Sequence, residues 1–418
     1  MNSNTIATIA TLTLCLVPET VLRADVVTDW NEITLATLAA MNEARPSPSS
    51  RTLAIVHVAI YDAVNSIEHR FSPYAVTAER ARGASPEAAA AAAAYTALTS
   101  LYPSQAESLA ETYAKSLAVI PEGAARKKGI AIGEFIAKTI LALRANDGSD
   151  ATATYNQAPE PGIWRPTPPA FAPAAWVAWG KVTPFTLRRG SQFRADPPPS
   201  IYSRRYARDF EEVKSLGALD STTRTPDQTE IALFWVENSQ ITWNRIAEIV
   251  ASGRPRGLVE NARLFALLNL AGADAVIASF DTKYTYNLWR PITAIQEGIA
   301  GGKNPFAPDP AWTPLQPTPA HPDYTSLHVI YGASAATVLA YFYCTDEVPF
   351  SLSTGSLPGV TRSFHSFSQA LDEMAVSRIY LGYHTRTAVR VGARQGRAIG
   401  DWVCDRFLTE DRDERPDR

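Results

Sequence analysis

The sequence of 418 residues lacks the features that mark several large protein classes. It has only three cysteines, none in the C-x-x-C spacing of a structural zinc site or a redox pair. Lys and Arg (39) nearly balance Asp and Glu (42), giving a formal charge of −3, so there is no basic field to steer nucleic acid. Any anion site must therefore be a local cluster of cations. Alternating apolar and polar runs closed by hairpin turns are scarce, which argues against a sheet-based fold. No Gly-x-Ser-x-Gly elbow, phosphate-binding Gly-rich loop or dinucleotide fingerprint occurs. Past the first segment, no run is expected to have the ~20 apolar residues that cross a bilayer.

What is present reads as a globular chain. Hydrophobic residues make up 46% and charged residues 19%, enough to bury a large core in two or three packing units. The first 24 residues hold an apolar stretch from Ile6 to Val17 between polar ends, the pattern of a secretory signal peptide cut after Ala24. Export to a periplasm or the exterior is the expectation. Cys15 would leave with that segment. Cys344 and Cys404 would remain, either as one disulfide or as two separate thiols.

Helical periodicity dominates, and the predicted fold is all-α. Ile132, Phe135, Ile136, Ile140 and Leu143 recur at three- and four-residue steps before Asn146-Asp147-Gly148 stops the helix. Helices are also expected over Trp30–Glu43, Arg51–Ser66, Pro86–Leu101 and Gln105–Ala118. The alanine run Ala88–Ala94 suits close helix packing. Proline and aromatic residues then crowd together, from Trp164 to Pro197-Pro198-Pro199, predicting an extended belt laid over the protein surface. Helices resume over Gln228–Ser252, Gly257–Phe280, Ser326–Tyr343, Ser366–Gly382 and Thr387–Phe407. This divides the mature chain into an N-terminal helical bundle (25–157), a Pro/aromatic-rich belt (158–225) and a C-terminal helical bundle (226–418).

Three segments of the last part carry candidate chemistry. In Lys283-Tyr-Thr-Tyr-Asn-Leu-Trp-Arg290-Pro291, seven residues bring two cations to one face if the helix continues, with no acid between them. Alone, this also reads as a solvated charged face. In His321-Pro-Asp-Tyr-Thr-Ser326-Leu327-His328, Ser326 stands where a helix begins, so its hydroxyl and the first backbone N–H groups can converge on an oxyanion. An ordinary N-cap is the plainer reading. In Ser377-Arg378-Ile-Tyr-Leu-Gly382-Tyr-His384, the cation and the imidazole meet only if the chain bends, and Gly382 is the place for it.

In order and spacing the three together resemble the signature of the vanadium haloperoxidases and type 2 phosphatidic acid phosphatases. The stretch Arg51–Ile67 is also similar to the N-terminal half of haloperoxidase-like proteins, so the resemblance covers most of the mature chain. It implies two helical bundles gripping a tetrahedral oxyanion, with orthovanadate as cofactor. Lys283, Arg290 and Arg378 would neutralise the equatorial oxygens, and Ser326 and the Leu327 N–H would donate to them. His384 would be the apical ligand to vanadium, or the nucleophile toward phosphorus. His328 would be the acid–base group.

Two positions depart from the family pattern. Thr325-Ser326-Leu327-His328 stands where Pro-Ser-Gly-His is usual, and the bulk of Leu327 would narrow the pocket. Ala388 stands where an Asp, four residues past the ligating His, commonly orients that imidazole. Thr387 or a backbone carbonyl is the expected substitute. His321 sits where haloperoxidases vary between aromatic residues and His, leaning toward bromide oxidation.

The resemblance implies a vanadate-dependent haloperoxidase that takes hydrogen peroxide and halide, bromide favoured. The alternatives are an acid phosphatase turning over a phosphomonoester through a phosphohistidine, and a non-catalytic oxyanion binder. His57 reads as a satisfied core histidine, and His57, Asp62 and His69 do not share a metal-binding face. His365 is expected to pack between Phe364 and Phe367. Asp274 and Asp281 are candidate partners of the cations, or ordinary solvent-facing acids. Neither the organic acceptor nor the oligomeric state is encoded in any spacing.

Overall fold

The computed structural model describes residues 25–41, 45–79, 81–300 and 305–410; the expected signal segment lies outside them. Among the described residues are thirteen α-helices and one two-stranded hairpin. Asp25 starts α1 (Val26–Ala40) by accepting the N–H groups of Val27 and Thr28 at 3.0 Å each. Pro46 opens α2 (Pro46–Glu68), which is buried on every side from Leu53 to Val64. Ser85 caps α3 (Pro86–Leu101), followed by α4 (Ala106–Ala118) and α5 (Ala124–Arg144). The alanine run does pack closely. On α5, a Cβ added at Gly133 would fall 2.3 Å from the Ala89 carbonyl of α3, so the two backbones touch.

The belt is largely extended, but it contains a helix the proline-rich texture hid: α6 (Arg204–Gly217), capped by Ser203. Its apolar face of Tyr206, Phe210 and Val213 is buried at helical spacing inside an otherwise charged sequence. The belt is pinned on both sides. Arg144 of α5 donates to the carbonyls of Thr183 (2.6 Å) and Pro184 (3.2 Å). On the other side Asp274 accepts the N–H groups of Phe185, Thr186 and Leu187 and the Thr186 hydroxyl. A buried carboxylate is thus fully hydrogen-bonded, as burial requires.

The single helix expected over 228–252 is two, α7 (Pro226–Phe234) and α8 (Ser239–Gly253), with the chain turning at 235–238. The next helix runs longer than its periodicity suggested: α9 (Leu258–Tyr286) is buried along most of its length and forms the central axis of the molecule. Contrary to the sequence reading, α9 has the length and composition of a membrane-crossing segment. Its apolar window, however, is enclosed by protein. After α10 (Pro291–Glu297) come α11 (Leu327–Tyr343), the hairpin β1 (Phe350–Ser353) and β2 (Thr361–Phe364), α12 (Phe367–Tyr380) and α13 (Arg386–Arg406).

Glycine sets the contact that fixes where α11 begins. Gly392, Gly396 and Gly400 recur every fourth residue on α13 and face α11; a Cβ at Gly396 would lie 2.2 Å from the Ile330 carbonyl. The first turn of α11 is thereby held directly against α13.

The two remaining cysteines are free thiols, Cys344 exposed and Cys404 buried, so the disulfide does not form. His57 is buried, stacked on Phe265 and bonded through Nε2 to Asn31 at 3.2 Å. His365, expected to pack, is exposed instead: Phe364 and Phe367 turn inward from either side of it at the β2–α12 corner.

Candidate functional site

The three sequence segments meet around one buried volume, though not by the geometry their spacing implied. Lys283 lies in the last turn of α9, which ends because Asn287 takes a left-handed conformation (φ 51°) and returns its N–H to the Lys283 carbonyl at 2.8 Å. Arg290 is therefore not on the same helix face. It is extended ahead of Pro291, at the start of α10, as a residue before proline prefers. A turn, not a helix face, brings the cations together.

Each cation is anchored by backbone carbonyls. Lys283 Nζ donates to Pro322 (2.7 Å) and Asp323 (3.1 Å). Arg290 donates from Nε to His321 O (2.7 Å) and from Nη1 to Tyr383 O (2.9 Å), while its Nη2 lies 3.0 Å from His321 Nδ1. Arg378, in the last turn of α12, donates from Nη1 to Trp235 O (2.7 Å), and its guanidinium lies over the Tyr383 ring at 5.0 Å. Gly382, with φ 77°, turns the chain after α12 as expected and brings His384 to the same volume.

Ser326 is the N-cap residue of α11, yet its hydroxyl caps nothing. The Oγ is buried and has no partner among the described residues, and Arg378 Nε is in the same condition. Orphaned buried donors are costly, on the order of 1–3 kcal/mol each, and two beside a helix N-terminus mark a place for an acceptor. As first residues of that helix, Leu327 and His328 have N–H groups with no intrahelical acceptor. The Leu327 side chain, expected to crowd the pocket, is buried in the main apolar core. Thr325 Oγ1 bonds Gln395 Oε1 on α13 at 2.8 Å, and Gln395 Nε2 donates to Thr282 on α9.

His328 is half-buried, with Nε2 3.2 Å from the Glu237 carbonyl in the α7–α8 turn. If that nitrogen carries the proton, Nδ1 is the lone-pair atom. Burial first, then Arg378, hold this imidazole well below its ordinary value, so it is unprotonated at neutral pH.

The electrostatics are lopsided. Lys283, Arg290 and Arg378 are all buried, and burial lowers the pKa of each; for both arginines the value falls to about 10. The buried carboxylate among them is Asp323, in which burial raises the pKa against the pull of Arg290 and Lys283. Three buried cations against one buried acid leave a local excess of positive charge, which suits an anion.

Asp323 is also the residue that sequence reasoning passed over. Its Oδ1 lies 2.5 Å from His384 Nδ1, and Oδ2 accepts from Thr385 Oγ1 at 2.9 Å. Neither expected substitute for the missing acid at position 388 reaches the imidazole. Thr387 Oγ1 instead accepts from Arg205 of α6, and its N–H goes to Asp209. The partners of the two remaining acids are elsewhere as well. Asp274 holds the belt, and Asp281 makes a two-bond pair with Arg194 (2.6 and 2.7 Å).

Known proteins share part of this sequence and its fold. Residues 263–410 match the family model of the VCPO second helical-bundle domain. The chain is 24% identical over 277 residues to the vanadium chloroperoxidase of Curvularia inaequalis, a match covering 50% of this chain and 45% of that enzyme. It thus spans about half the length of that curated relative. Among solved structures, the first bacterial vanadium-dependent iodoperoxidase superposes with a TM-score of 0.81 at 27% identity, covering 92% of this chain and 98% of that one. The apo form of a bacterial vanadium-dependent chloroperoxidase shares the fold, with a TM-score of 0.70 at 18% identity, covering 86% of this chain and 94% of that one. In its fold, its matched C-terminal bundle and these relatives, the chain is similar to the vanadium haloperoxidases.

Proposed function

We propose that this chain is a vanadate-dependent haloperoxidase that oxidises halide, bromide favoured, with hydrogen peroxide. The observation that carries the reading is the pair of buried, orphaned donors, Ser326 Oγ and Arg378 Nε, in a region that holds three buried cations and one buried carboxylate, Asp323. An orthovanadate ion fits that donor set: Lys283, Arg290 and Arg378 neutralise its oxygens, and Ser326 Oγ and the Leu327 N–H donate to them. His384 Nε2 is the nitrogen left to coordinate the metal, since Nδ1 faces Asp323. Bound there, vanadate supplies the Lewis acidity that activates peroxide toward halide.

The chain's own residues supply position and proton transfer. His328, neutral and resting on the Glu237 carbonyl, takes the peroxide proton at Nδ1. Buried His321, with its Nδ1 against Arg290, puts a polar ring beside the oxyanion, which supports bromide over the harder-to-oxidise chloride. The test is halogenation of a dimedone-type reporter with iodide, bromide and chloride before and after vanadate loading. Vanadate-dependent turnover that His384→Ala abolishes supports the reading. Folded, vanadate-binding protein without turnover overturns it.

One observation favours a second reading. A carboxylate-paired imidazole beside an oxyanion cavity also suits in-line attack on a phosphomonoester, with His328 protonating the leaving alkoxide. Hydrolysis of a chromogenic phosphomonoester, inhibited by vanadate, would support that hydrolase instead.

A further inference from the structure

We infer that Asp323 is the positioning residue that fixes the tautomer of His384, and that it thereby makes the site prefer an oxyanion able to take a nitrogen ligand over phosphate. This role rests on the vanadate reading above. Proton placement is the first ground for it. Asp323 and His384 are both buried, and Nδ1 lies 2.5 Å from Oδ1. A carboxylate only accepts, so the shared hydrogen belongs to Nδ1–H and Nε2 is left unprotonated, with its lone pair as an acceptor.

The far side of the ring imposes the same answer independently. Arg290 Nη1, which can only donate, lies 3.2 Å from His384 Nε2. Placing the acid proton on Oδ1 and the imidazole hydrogen on Nε2 would set donor against donor at the guanidinium. Two neighbours on opposite edges of one ring select the tautomer that can coordinate a metal.

Asp323 is itself immobilised. Its backbone carbonyl receives Lys283 Nζ, its N–H donates to Leu288 O at 2.9 Å, and its second carboxylate oxygen holds Thr385, the N-cap residue of α13. One residue thus ties together the ends of all three site segments. The acid common at position 388 in the superfamily has been replaced from a different element, 61 residues upstream of His384 rather than four downstream.

The consequence separates two anions of like shape and charge. Vanadate gains a bond to Nε2; ground-state phosphate gains only hydrogen bonds and charge. Replacing Asp323 by Asn keeps the side-chain shape but removes the charge, and lets an amide N–H face Nδ1, which puts the ring hydrogen on Nε2. Vanadate binding should weaken about 10–100-fold. Phosphate binding should hold or strengthen, because a buried negative charge has left an anion site.

The experiment is calorimetric titration of the full chain and of Asp323→Asn with orthovanadate and, separately, inorganic phosphate. It is paired with ¹⁵N spectra of His384 in the wild-type protein. Weaker vanadate binding with unchanged or tighter phosphate binding, and a protonated Nδ1 with an unprotonated Nε2 in the wild type, support the inference. Parallel loss of both affinities, or a vanadate preference that survives the substitution, overturns it. A wild-type spectrum with the proton on Nε2 also overturns it, whether or not the variant folds. A wild type with no vanadate preference at all overturns the functional reading first, and this use of Asp323 with it.

Discussion

Arg378→Met should separate stability from ligand binding, since the native site pays to hold this cation. Burial draws the guanidinium from its ordinary 12.5 down to about 10. At about 1.4 kcal/mol per tenfold, the charged form at neutral pH carries roughly 3 kcal/mol of penalty in the folded state. Part of that penalty is the unmet donor at Nε. Against this, methionine gives up the bond to Trp235 O, leaving that carbonyl unpaired, and the contact with the Tyr383 ring. Those losses sum to a few kcal/mol of opposite sign.

The ligand-free variant should therefore stay within about 2 kcal/mol of wild type in denaturant unfolding. With vanadate at a hundred times its dissociation constant, the wild type should gain about 2.7 kcal/mol, and the variant almost none of it at that concentration. A ligand-free loss of about 3–5 kcal/mol, the range for breaking a buried ion pair, would show Arg378 to be a structural strut and overturn this account of it. An undiminished ligand shift would do the same, by showing that the guanidinium does not touch the anion.

Other perturbations have equally definite signs. His328→Ala should lower halide turnover by about 10²–10⁴-fold while vanadate affinity changes little; parallel loss of both would make it a binding residue. Gly396→Ala adds a methyl 2.2 Å from the Ile330 carbonyl. Overpacking of about 1–3 kcal/mol should outweigh the ~1 kcal/mol gained in helix propensity, and unfolding curves showing stabilisation would contradict the close contact. His57 sits at about 3 when folded, below the ~6.5 of an unfolded chain, so only the unfolded state takes up the proton. Stability should fall by about 2–3 kcal/mol from this group as pH drops from 6.5 to 4.5, and His57→Gln should lose that part of the slope. Identical slopes in both proteins would assign the acid sensitivity elsewhere.

What the sequence made legible tracks the range of the forces involved. Helices such as α3, α11 and α13 stand close to their expected bounds because the signal is local. The α7–α8 break was missed because Trp235 and Val236 continue the apolar pattern through the turn. Among the candidate site residues, Lys283, Arg290, Ser326, His328, Arg378 and His384 were readable from spacing and resemblance. The seven-residue spacing of the first pair nonetheless misled, since Asn287 ends the helix between them. Asp323 left no local trace: nothing at position 323 announces a partner at 384. The glycine series on α13 was a usable signal, a four-residue repeat in plain view, whose meaning depends on the identity of the facing helix.

The grip on the belt bears on whether this protein can be taken apart. Residues 183–187 are held by Arg144 from the N-terminal bundle and by Asp274 from α9, the helix whose last turn carries Lys283. A fragment beginning after the belt would keep Asp274 but lose all four hydrogens that satisfy it, stranding a carboxylate in the middle of its longest helix. The C-terminal half, which holds the proposed anion site, is thus not expected to behave as an autonomous module when expressed, shuffled or trimmed on its own. Its evolution is tied to a loop and a bundle that never approach the reacting atoms, and substitutions at Arg144 or in the 183–187 strap will be felt at Lys283.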